Sequence, residues 1–576
     1  MATRTDHMRM LAELARLTIL DEGSPQAFKV RAYENAMAGI EAFPGELGSL
    51  SKAELTTIKG VGPATADKII EFETTGKVAK LEALREKYPS AFVELTKIPG
   101  LGPKTLLMLR ATIGVEDIDS LRKAIDNQQL RELPGLGEKS EVKIAKAIDR
   151  LGLHGKDRRT PLAEAWGLAG ALAGRLSLIE GVTDAIPCGS IRRFSESIGD
   201  VDIVVATTDP ERVSAEVLGF TEVDDVIGAG TTKTSFLTRE GLQVDIRTVS
   251  PDQLGSALLY FTGSKAHNIA LRQRAIDRGM LLSEYGLFRD EEVVASGSES
   301  EIYTALEMEY VPPPLRENAG EVEAASEKGM PDLIERSDIK GDLHYHSDRS
   351  GDSRSSPEEM IEAAIEAGYE YVAFTDHGED LTINGSSRAE MLAHRDRLTT
   401  LDGAYPEIRV LFGCELNIGP DGGLDYDADF RLEFDYCVAS IHSHFDLSAD
   451  QQTARILKAL QDPAVNAIGH LTGRYVGRRP GIELDVGAVL QGLRITGVAL
   501  EINGALDRLD AASDVARRAM AEGVDVVIDT DSHHTRDLKR MDYGVLYAQR
   551  GWVTKDRVLN ARPVTDVLAA VAARRS

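Results

Sequence analysis

The chain has 576 residues, of which 42% are hydrophobic and 28% are charged, a composition typical of globular proteins. This length predicts roughly three or four domains, and the lack of any run of about 18 apolar residues excludes a membrane-spanning class. The net charge of −27 does not exclude a nucleic-acid partner, because residues 1–150 hold 22 basic and 22 acidic residues and the excess acid lies beyond them.

Residues 1–150 predict an all-helical domain. An apolar stripe at helical spacing runs from Leu11 to Leu17. A glycine turn occurs three times, at residues 58–62, 98–102 and 133–137, as Ile-Lys-Gly-Val-Gly, Ile-Pro-Gly-Leu-Gly and Leu-Pro-Gly-Leu-Gly. Each copy follows one short helical stretch and precedes another, so the turns join pairs of helices.

The repeated turn is typical of a helix-hairpin-helix motif. Both of its glycines can adopt positive φ, and the turn then presents backbone N–H groups at the start of the second helix, where a phosphate binds well. An ordinary helix-helix turn explains one copy, but three copies at separations of 40 and 35 residues favour binding to the DNA backbone. The third copy, followed by Glu138, is expected to be structural, and the candidate DNA-binding glycines are Gly60, Gly62, Gly100 and Gly102.

Lys68 lies on the second helix of the first hairpin and faces the same surface. A lysine amine beside an abasic sugar can form a Schiff base and start β-elimination, whereas the alternative is a contact to phosphate or solvent.

Residues 151–316 predict a mixed α/β domain with strand-like, β-branched runs at residues 201–205 and 242–246. Asp200 and Asp202, at i and i+2, face one side of the first strand. A third carboxylate, Asp245, lies on the other run. Two Mg²⁺ or Mn²⁺ ions held by these groups would activate a primer 3′-hydroxyl and neutralise a leaving pyrophosphate. A turn at Gly189 and Ser190 precedes them and is suited to hold a triphosphate.

The segments 189–202 and 260–268 resemble the X-family DNA polymerases, which are similar to polymerase β. The resemblance implies that Asp200, Asp202 and Asp245 are the catalytic metal ligands and that Lys68 is a lyase lysine, with Lys29 and Tyr33 in the same pocket. It also implies a set of contacts to the incoming nucleotide: Ser190, Arg193 and Gly199 for the triphosphate, Tyr260, Phe261 and Gly263 for the sugar, and Asn268 for the base edge.

Residues 338–576 alternate strand-like and helical runs, a pattern typical of a (βα) barrel, and hold nine of the twelve histidines. Most histidine and acidic motifs follow an apolar run, which is the barrel edge where active sites form. Imidazole and carboxylate ligands without thiolate favour Mn²⁺, Zn²⁺ or Fe²⁺ over a pure Mg²⁺ site. The candidate ligands are His344, His346, His377, Glu415, His442, His470, Asp531 and His533.

These motifs resemble the PHP domain (polymerase and histidinol phosphatase), a trinuclear phosphoesterase. The resemblance implies one ion at His344, His346, Glu415 and Asp531, a second at Glu415, His442 and His470, and a third at Asp352, His377 and His533. Arg474, shortly after His470, is expected to anchor a phosphate.

The order of the segments matches the bacterial and archaeal X-family polymerases. It predicts an all-α helix-hairpin-helix domain at 1–150, an α/β nucleotidyltransferase palm with thumb at 151–316, an acidic linker at 317–337 and a C-terminal PHP barrel at 338–576. The implied enzyme is a DNA polymerase that fills short gaps in repair, with a 3′-5′ exonuclease that also cuts at abasic sites. Its expected partners are gapped or nicked DNA and dNTPs, and its expected cofactors are Mg²⁺ or Mn²⁺ in the palm and two or three Mn²⁺, Zn²⁺ or Fe²⁺ ions in the barrel.

The sequence also leads to an expected location and assembly. Three cysteines without paired spacing argue against a disulfide framework, and the first ten residues do not resemble a secretory signal. We expect a monomer in the cytoplasm, associated with the nucleoid and without a membrane partner.

Three other functions remain open at this point. The first is a nuclease whose polymerase module only holds DNA, but all three aspartates are present. The second is a non-catalytic DNA-bridging scaffold, which would not need the carboxylates. The third is a phosphatase for small phosphate esters, which would not need three hairpins.

Overall fold

The computed structural model describes residues 4–24, 27–43, 47, 50–98, 100–151, 159–381 and 384–576, so that Pro99 of the second glycine turn lies outside it. The chain forms two compact units, residues 1–158 and residues 159–576, each with its own hydrophobic core.

The first unit is helical throughout its described part, as predicted. Leu11 and Leu17, at the ends of the apolar stripe, are buried in its core. Its helices are α1 (Arg4–Glu22), α2 (Phe28–Ala42), α3 (Lys52–Leu55), α4 (Pro63–Thr75), α5 (Ala79–Lys87), α6 (Ser90–Glu94), α7 (Pro103–Ile113), α8 (Ile118–Asp126) and α9 (Glu138–Leu151).

The second unit begins with the predicted α/β part. Its elements are β1 (Thr160–Pro161), α10 (Leu162–Leu176), β2 (Val182–Pro187), α11 (Gly189–Arg192), β3 (Ser197–Ile198), β4 (Asp200–Thr207), α12 (Pro210–Val217), β5 (Asp225–Ala229), β6 (Lys233–Leu237) and β7 (Gln243–Val249). The strands form a five-stranded sheet in the order β2-β4-β7-β6-β5. The two central strands β4 and β7 are parallel, and their register pairs Asp202 with Asp245. This register brings the predicted carboxylates to one place on the sheet.

A smaller subdomain follows, built from α13 (Leu254–Thr262), α14 (Lys265–Asp277), β8 (Leu281–Ser283), β9 (Gly286–Arg289), β10 (Glu292–Ala295), α15 (Glu299–Ala305) and α16 (Glu321–Ser326). Strands β8, β9 and β10 form an antiparallel sheet. The segment 317–337 packs first on this subdomain and then, from about residue 333, on the barrel, so the prediction of an open linker needs correction. Val322 and Ala325 lie in its core, and the buried Glu321 carboxylate is 2.6 Å from the His267 ring nitrogen Nδ1. The acidic composition that suggested a linker thus includes a buried, paired carboxylate.

The rest of the unit is the predicted barrel. Its elements are β11 (Gly341–Tyr345), α17 (Pro357–Glu366), β12 (Tyr371–Phe374), α18 (Arg388–Ala404), β13 (Arg409–Asn417), α19 (Ala428–Arg431), β14 (Tyr436–Ser440), α20 (Ala449–Ala459), β15 (Ala467–Ile468), α21 (Val486–Thr496), β16 (Ala499–Asn503), α22 (Ser513–Glu522), β17 (Val526–Asp529), α23 (Arg540–Arg550) and α24 (Val564–Arg575). The seven strands are parallel and pair in sequence order.

Side chains complete the ring between the first and last strands of the barrel. The Asn560 amide nitrogen donates to the carbonyl oxygens of Gly341 (2.8 Å) and Ile528 (2.6 Å). A parallel bridge between Tyr345 and Ser532 joins the same two strands beyond their ends. The sheet is therefore a nearly closed (βα) barrel, which confirms the predicted fold class. Within the described ranges, no helix is long and apolar enough to cross a membrane.

Candidate active sites

The glycine turns place helix N-termini at the surface of the first unit. Gly60 and Gly100 adopt φ of +90° and +92°, and a Cβ at Gly60 would lie 2.3 Å from the carbonyl oxygen of Asn35. Gly62 and Gly102 instead have φ of −82° and −73° and cap α4 and α7. The expectation of positive φ at both glycines was therefore wrong for the second one, which only needs an extended conformation. Pro63 has no N–H and the Thr65 N–H donates to the carbonyl oxygen of Gly62 at 3.0 Å, so the Ala64 N–H is the group in the first turn of α4 that is best suited to a phosphate.

Lys68 and Lys29 both lie near Tyr33 in this unit, as the charges of Lys29 and Tyr33 interact. The Lys68 amine is 5.8 Å from the centre of the Tyr33 ring and donates to the carbonyl oxygen of Ala64 at 2.9 Å. The Lys29 amine lies 2.6 Å from a carboxylate oxygen of Glu22. Tyr33 is buried, and its ring packs against the Lys68 amine.

The three predicted carboxylates of the palm come together. Ligand oxygens of Asp200, Asp202 and Asp245 all lie within 4.8 Å of one another. The Lys233 amine, on the neighbouring strand, is 2.6 Å from an Asp245 oxygen, and the Gln243 amide donates to Asp245 at 3.0 Å. Clustered carboxylate oxygens are ligands that Mg²⁺ prefers, and Lys233 offsets part of their negative charge.

The charges in this cluster shift its pKa values apart. Burial, together with the charges of Asp200 and Asp245, raises the pKa of Asp202 to about 7. Burial and the Asp245 charge also raise the pKa of Asp200. Burial opposes ionisation of Asp245 as well, but hydrogen bonds from Lys233, Ser235 and Gln243 outweigh it and lower the pKa of Asp245. Repulsion of this kind is relieved when divalent ions bind.

The turn before the catalytic strand is held closely against the cluster. Gly189 has φ of +61°, and a Cβ there would lie 2.6 Å from an Asp202 oxygen, so only glycine fits. Ser190 follows at the start of α11, and Gly199 is exposed next to β4. Arg193, predicted to contact the triphosphate, donates to the carbonyl oxygen of Thr262 (2.6 Å) and to Glu317 (3.0 Å).

The sequence reasoning missed the buried ion pairs behind this turn. A Glu299 carboxylate accepts from Arg192 at 2.7 Å and from Arg316 at 2.5 Å, and all three side chains are largely or fully buried. They tie α11 to α15 and to the chain near residue 316. Arginine next to a proline run gave no local signal of this pairing.

The predicted sugar and base contacts lie at the junction of α13 and α14. The Asn268 amide donates to the carbonyl oxygen of Tyr260 at 2.7 Å. The rings of Tyr260 and Phe261 meet edge to face, with centres 5.0 Å apart. Gly263 also lies close to Asn268. A Cβ at Gly263 would be 3.4 Å from the Asn268 amide nitrogen. These four predicted residues thus form one continuous surface.

Glu415 is the centre of the second cluster, at the carboxyl edge of the barrel. Its oxygens lie 3.4 Å from His344 Nε2, 3.6 Å from His346 Nε2 and 2.9 Å from His377 Nδ1. They also lie 3.1 Å from His442 Nε2 and 3.0 Å from His470 Nε2. Five predicted histidines therefore converge on one buried carboxylate.

Asp531 and Asp352 extend the cluster on the side of His533. Asp531 Oδ1 lies 3.4 Å from His346 Nε2 and 3.6 Å from His533 Nδ1. Asp352 Oδ2 lies 3.7 Å from His377 Nε2 and 3.5 Å from His533 Nε2. All nine side chains predicted to hold metal in the barrel are thus brought together.

The donor set fits divalent metal ions. The Nε2 atoms of His344 and His346 are buried and have no hydrogen-bond partner among the described residues. Although burial opposes it, the charges of Glu415 and Asp352 raise the pKa of His377 to about 10. Burial also opposes the charge on Glu415, but the facing imidazoles hold the pKa of that carboxyl well below its usual range. Unpaired ring nitrogens aimed at ionised carboxylates are the arrangement that transition metals bind.

Glu501 is a further functional residue, which sequence reasoning missed. Its carboxylate lies 2.5 Å from His344 Nδ1 and accepts from the backbone N–H of His470. A carboxylate that holds the far nitrogen of a metal-binding imidazole sets its orientation and tautomer. The signal was a glutamate inside the apolar run at residues 498–502, since buried acids are rare unless they are paired.

Arg474 does not face the histidine cluster as an open phosphate anchor. Its guanidinium donates to both carboxylate oxygens of Glu196, at 3.2 and 2.8 Å, and to the carbonyl oxygen of Arg508 at 3.0 Å. The expectation of a free anchor was therefore wrong. Arg508 lies closer to the cluster instead, with its Nε 3.6 Å from an Asp531 oxygen.

Comparisons with known proteins agree with this geometry. The family model described as the DNA polymerase beta thumb matches residues 257–317, and the PHP domain model matches residues 342–531. Models for a helix-hairpin-helix domain and for a SAM-like helix-hairpin-helix tandem match residues 3–78 and 92–150.

Some relatives match only about a third of this chain, and one matches nearly all of it. Probable phosphatases from Acetivibrio thermocellus and Thermoanaerobacter sp. strain X514 are each 28% identical, over 35% and 39% of this chain and 82% and 90% of their own lengths. The DNA polymerase/3′-5′ exonuclease PolX of Bacillus subtilis is 37% identical over 571 residues, which cover 98% of this chain and 99% of that protein. With both predicted clusters assembled, the chain belongs to the family of PolX-type DNA polymerase/3′-5′ exonucleases.

Proposed function

We infer that this chain is a DNA polymerase with a 3′-5′ exonuclease, and that it fills short gaps during DNA repair. The observation that carries this conclusion is the match to PolX along the whole chain, with a carboxylate cluster in the palm and a histidine cluster in the barrel. Two separate clusters on one chain allow synthesis and removal of nucleotides to proceed at different places.

The palm residues bind and orient the nucleotide and the primer end. Asp200, Asp202 and Asp245 would hold two Mg²⁺ or Mn²⁺ ions, which supply charge neutralisation and activation of the primer hydroxyl when they are bound. The α11 turn at Ser190 offers backbone N–H and hydroxyl groups to the triphosphate. The Tyr260–Asn268 surface then sets the position of the sugar and base.

The barrel residues bind and orient a phosphodiester for hydrolysis. The nine-residue cluster would hold two or three ions, with Mn²⁺, Zn²⁺ or Fe²⁺ favoured by its imidazoles, and these supply an activated water and charge neutralisation. Glu501 keeps His344 in one orientation. The Arg508 guanidinium lies beside Asp531 and is suited to contact a non-bridging phosphate oxygen.

The helical unit, proposed as a domain of residues 1–150, binds the DNA backbone on gapped or nicked substrates. The hairpin glycines hold helix N-termini at its surface without a basic patch. Lys68 is proposed as the amine that forms a Schiff base with an abasic sugar, supported by its position beside Tyr33. Abasic-site cleavage in the barrel is proposed on the same substrates.

We also propose that the protein works as a monomer in the cytoplasm, close to the nucleoid. The three cysteines are buried and form no disulfide bond. Cys414 and Cys437 nevertheless lie opposite each other on the neighbouring strands β13 and β14. Unpaired cysteines at such a position fit a reducing compartment. Sedimentation at micromolar concentration tests the monomer, with a single species near 62.5 kDa expected.

The function is tested with a one-nucleotide-gapped duplex labelled at the primer 5′ end. With dNTPs and Mg²⁺ or Mn²⁺ we expect the primer to lengthen, and without dNTPs to shorten. Hydrolysis of p-nitrophenyl phosphate at rates far above those on DNA would instead support a phosphatase, the activity for which two of the shorter relatives are named. Binding to the duplex without any change in primer length would support the non-catalytic scaffold.

A further inference from the structure

A short turn connects the triphosphate region of the palm to its catalytic strand. Residues 193–196 follow α11, and the N–H of Ser195 donates back to the carbonyl oxygen of Ser190 at 3.0 Å. Strands β3 and β4 begin directly after it, with Asp200 at the start of β4. Any contact that holds this turn therefore also holds Ser190 and the start of the catalytic strand.

Residues of the barrel bind one end of this turn through hydrogen bonds to Glu196. Both carboxylate oxygens of Glu196 accept from Arg474, and the Tyr547 hydroxyl donates to the same carboxylate. Arg474 itself lies in the loop after β15 and is fixed by the carbonyl oxygens of Arg508 and Leu509. The Arg474 side chain is 16% exposed and the Glu196 side chain 34% exposed, so water reaches this bidentate pair mainly from the side of Glu196.

Arg550 of the barrel binds the other end of the turn, at Arg193. Its guanidinium donates to the carbonyl oxygen of Arg193 at 3.0 Å and to Glu317 at 2.8 Å, and Glu317 also accepts from Arg193. This arrangement fixes both the backbone and the side chain of Arg193 from the barrel side.

Phe194, between these two ends, is also held by the barrel. Its ring centre lies 6.2 Å from that of Tyr543 and 6.4 Å from that of Tyr547, both on α23. Phe194 has φ of +56°, a conformation that a bulky L-residue adopts only when its surroundings impose it. The packing against Trp166 of α10, with ring centres 5.3 Å apart, together with the packing against α23 provides such surroundings.

We propose that Glu196, through Arg474 and Tyr547, is a positioning residue for the incoming nucleoside triphosphate, so that the nuclease barrel completes the polymerase site. The proposal rests on the polymerase function proposed above. Contact between two parts of a chain often serves stability alone. Here the contacts concentrate on three of four consecutive residues that join Ser190 to Asp200, which makes the position of the triphosphate depend on the barrel.

The test is steady-state extension of the gapped duplex by the full chain, at varied dNTP concentration. Glu196→Gln keeps the size of the side chain but removes the charge that Arg474 binds. We expect KM for the dNTP to rise about tenfold, as for loss of one charge-assisted bidentate pair, with kcat within about threefold. The matched control is Glu180→Gln, which removes an exposed carboxylate paired with Arg212 in the same unit and should leave both constants unchanged.

Two further variants separate positioning from stability. Arg474→Lys keeps the positive charge and should therefore raise KM for the dNTP less than Arg474→Met does. The double variant Glu196→Gln/Arg474→Met should raise KM no more than the worse single variant, since both remove the same pair. Exonuclease rates of Glu196→Gln should match those of the unaltered chain.

An unchanged KM in Glu196→Gln would overturn the proposal. So would a parallel fall of kcat, exonuclease rate and melting temperature, which would show a purely structural contact. If the unaltered chain shortens primers but never extends them, the proposed polymerase function fails and the positioning role falls with it.

Discussion

Asp202→Asn is expected to make the metal-free chain more stable while it abolishes primer extension. Burial and the charges of Asp200 and Asp245 raise the pKa of Asp202 from 3.8 to about 7. Below pH 3.8 the carboxyl is protonated whether the chain is folded or unfolded, so it costs nothing. Between pH 3.8 and about 7 the carboxyl is ionised in the unfolded chain but protonated in the folded one, so the folded state loses stability as pH rises; above about 7 the loss is constant.

The size of this effect follows from the pKa difference. At 1.36 kcal/mol per pKa unit, the raised pKa of Asp202 destabilises the folded chain by about 4 kcal/mol at pH 8, where the group is ionised, and by about 2 kcal/mol at pH 5, where folding makes it take up a proton. Asparagine is uncharged, so the variant should gain these amounts in EDTA. The gain should therefore be about twice as large at pH 8 as at pH 5.

Urea unfolding in EDTA, followed by tryptophan fluorescence, measures this gain. Both tryptophans, Trp166 and Trp552, lie in the unit 159–576, so the signal reports on the unit that contains the palm. Asp252→Asn, at an exposed position of the same unit, is the control and should change little. A variant that is no more stable than the parent at pH 8, or equally stabilised at both pH values, would refute the reasoning.

Three other substitutions test separate parts of the structure. Glu501→Gln removes the carboxylate that holds His344 and should lower exonuclease activity 10- to 100-fold in a 5′-labelled primer assay, with extension unchanged; equal loss of both would contradict it. Gly60→Ala should lower the free energy of unfolding of the helical unit, measured in urea, by more than about 2 kcal/mol. The residue has φ of +90°, and an added Cβ would collide with the backbone of Asn35, so backbone strain and a steric clash both contribute. Gly62→Ala, with φ of −82° and open space, should cost about 1 kcal/mol or less, and equal losses at the two glycines would argue against this account. Lys68→Ala should abolish borohydride trapping of an abasic duplex, and persistent trapping would exclude Lys68 as the Schiff-base lysine.

The sequence predicted those features that depend on local patterns. The β-branched runs at residues 201–205 and 242–246 became β4 and β7, since apolar runs of that length need a sheet to cover them. Asp200 and Asp202 share a strand face because strand periodicity is two residues. The order of histidines along the barrel strands likewise placed them at one edge, where parallel strands end together.

Other features depend on contacts between distant residues. Arg474 follows His470 closely, so its sequence position suggested a phosphate anchor, but its partner Glu196 lies 278 residues away. Glu321 looked like part of an acidic linker, yet His267 pairs with it in a buried site. Neither partner is visible in a local pattern, because the tertiary fold alone brings them within reach.

We propose that one chain carries two catalytic sites whose chemistry is separate, although contacts from the barrel help to position the nucleotide in the palm. The most direct measurement follows one 5′-labelled primer in a gapped duplex with the unaltered chain, Asp200→Ala and His344→Ala. We expect Asp200→Ala to shorten the primer without extending it, and His344→Ala to extend it without shortening it. If either substitution removes both activities while the chain stays folded, the two clusters do not act independently and the account is wrong.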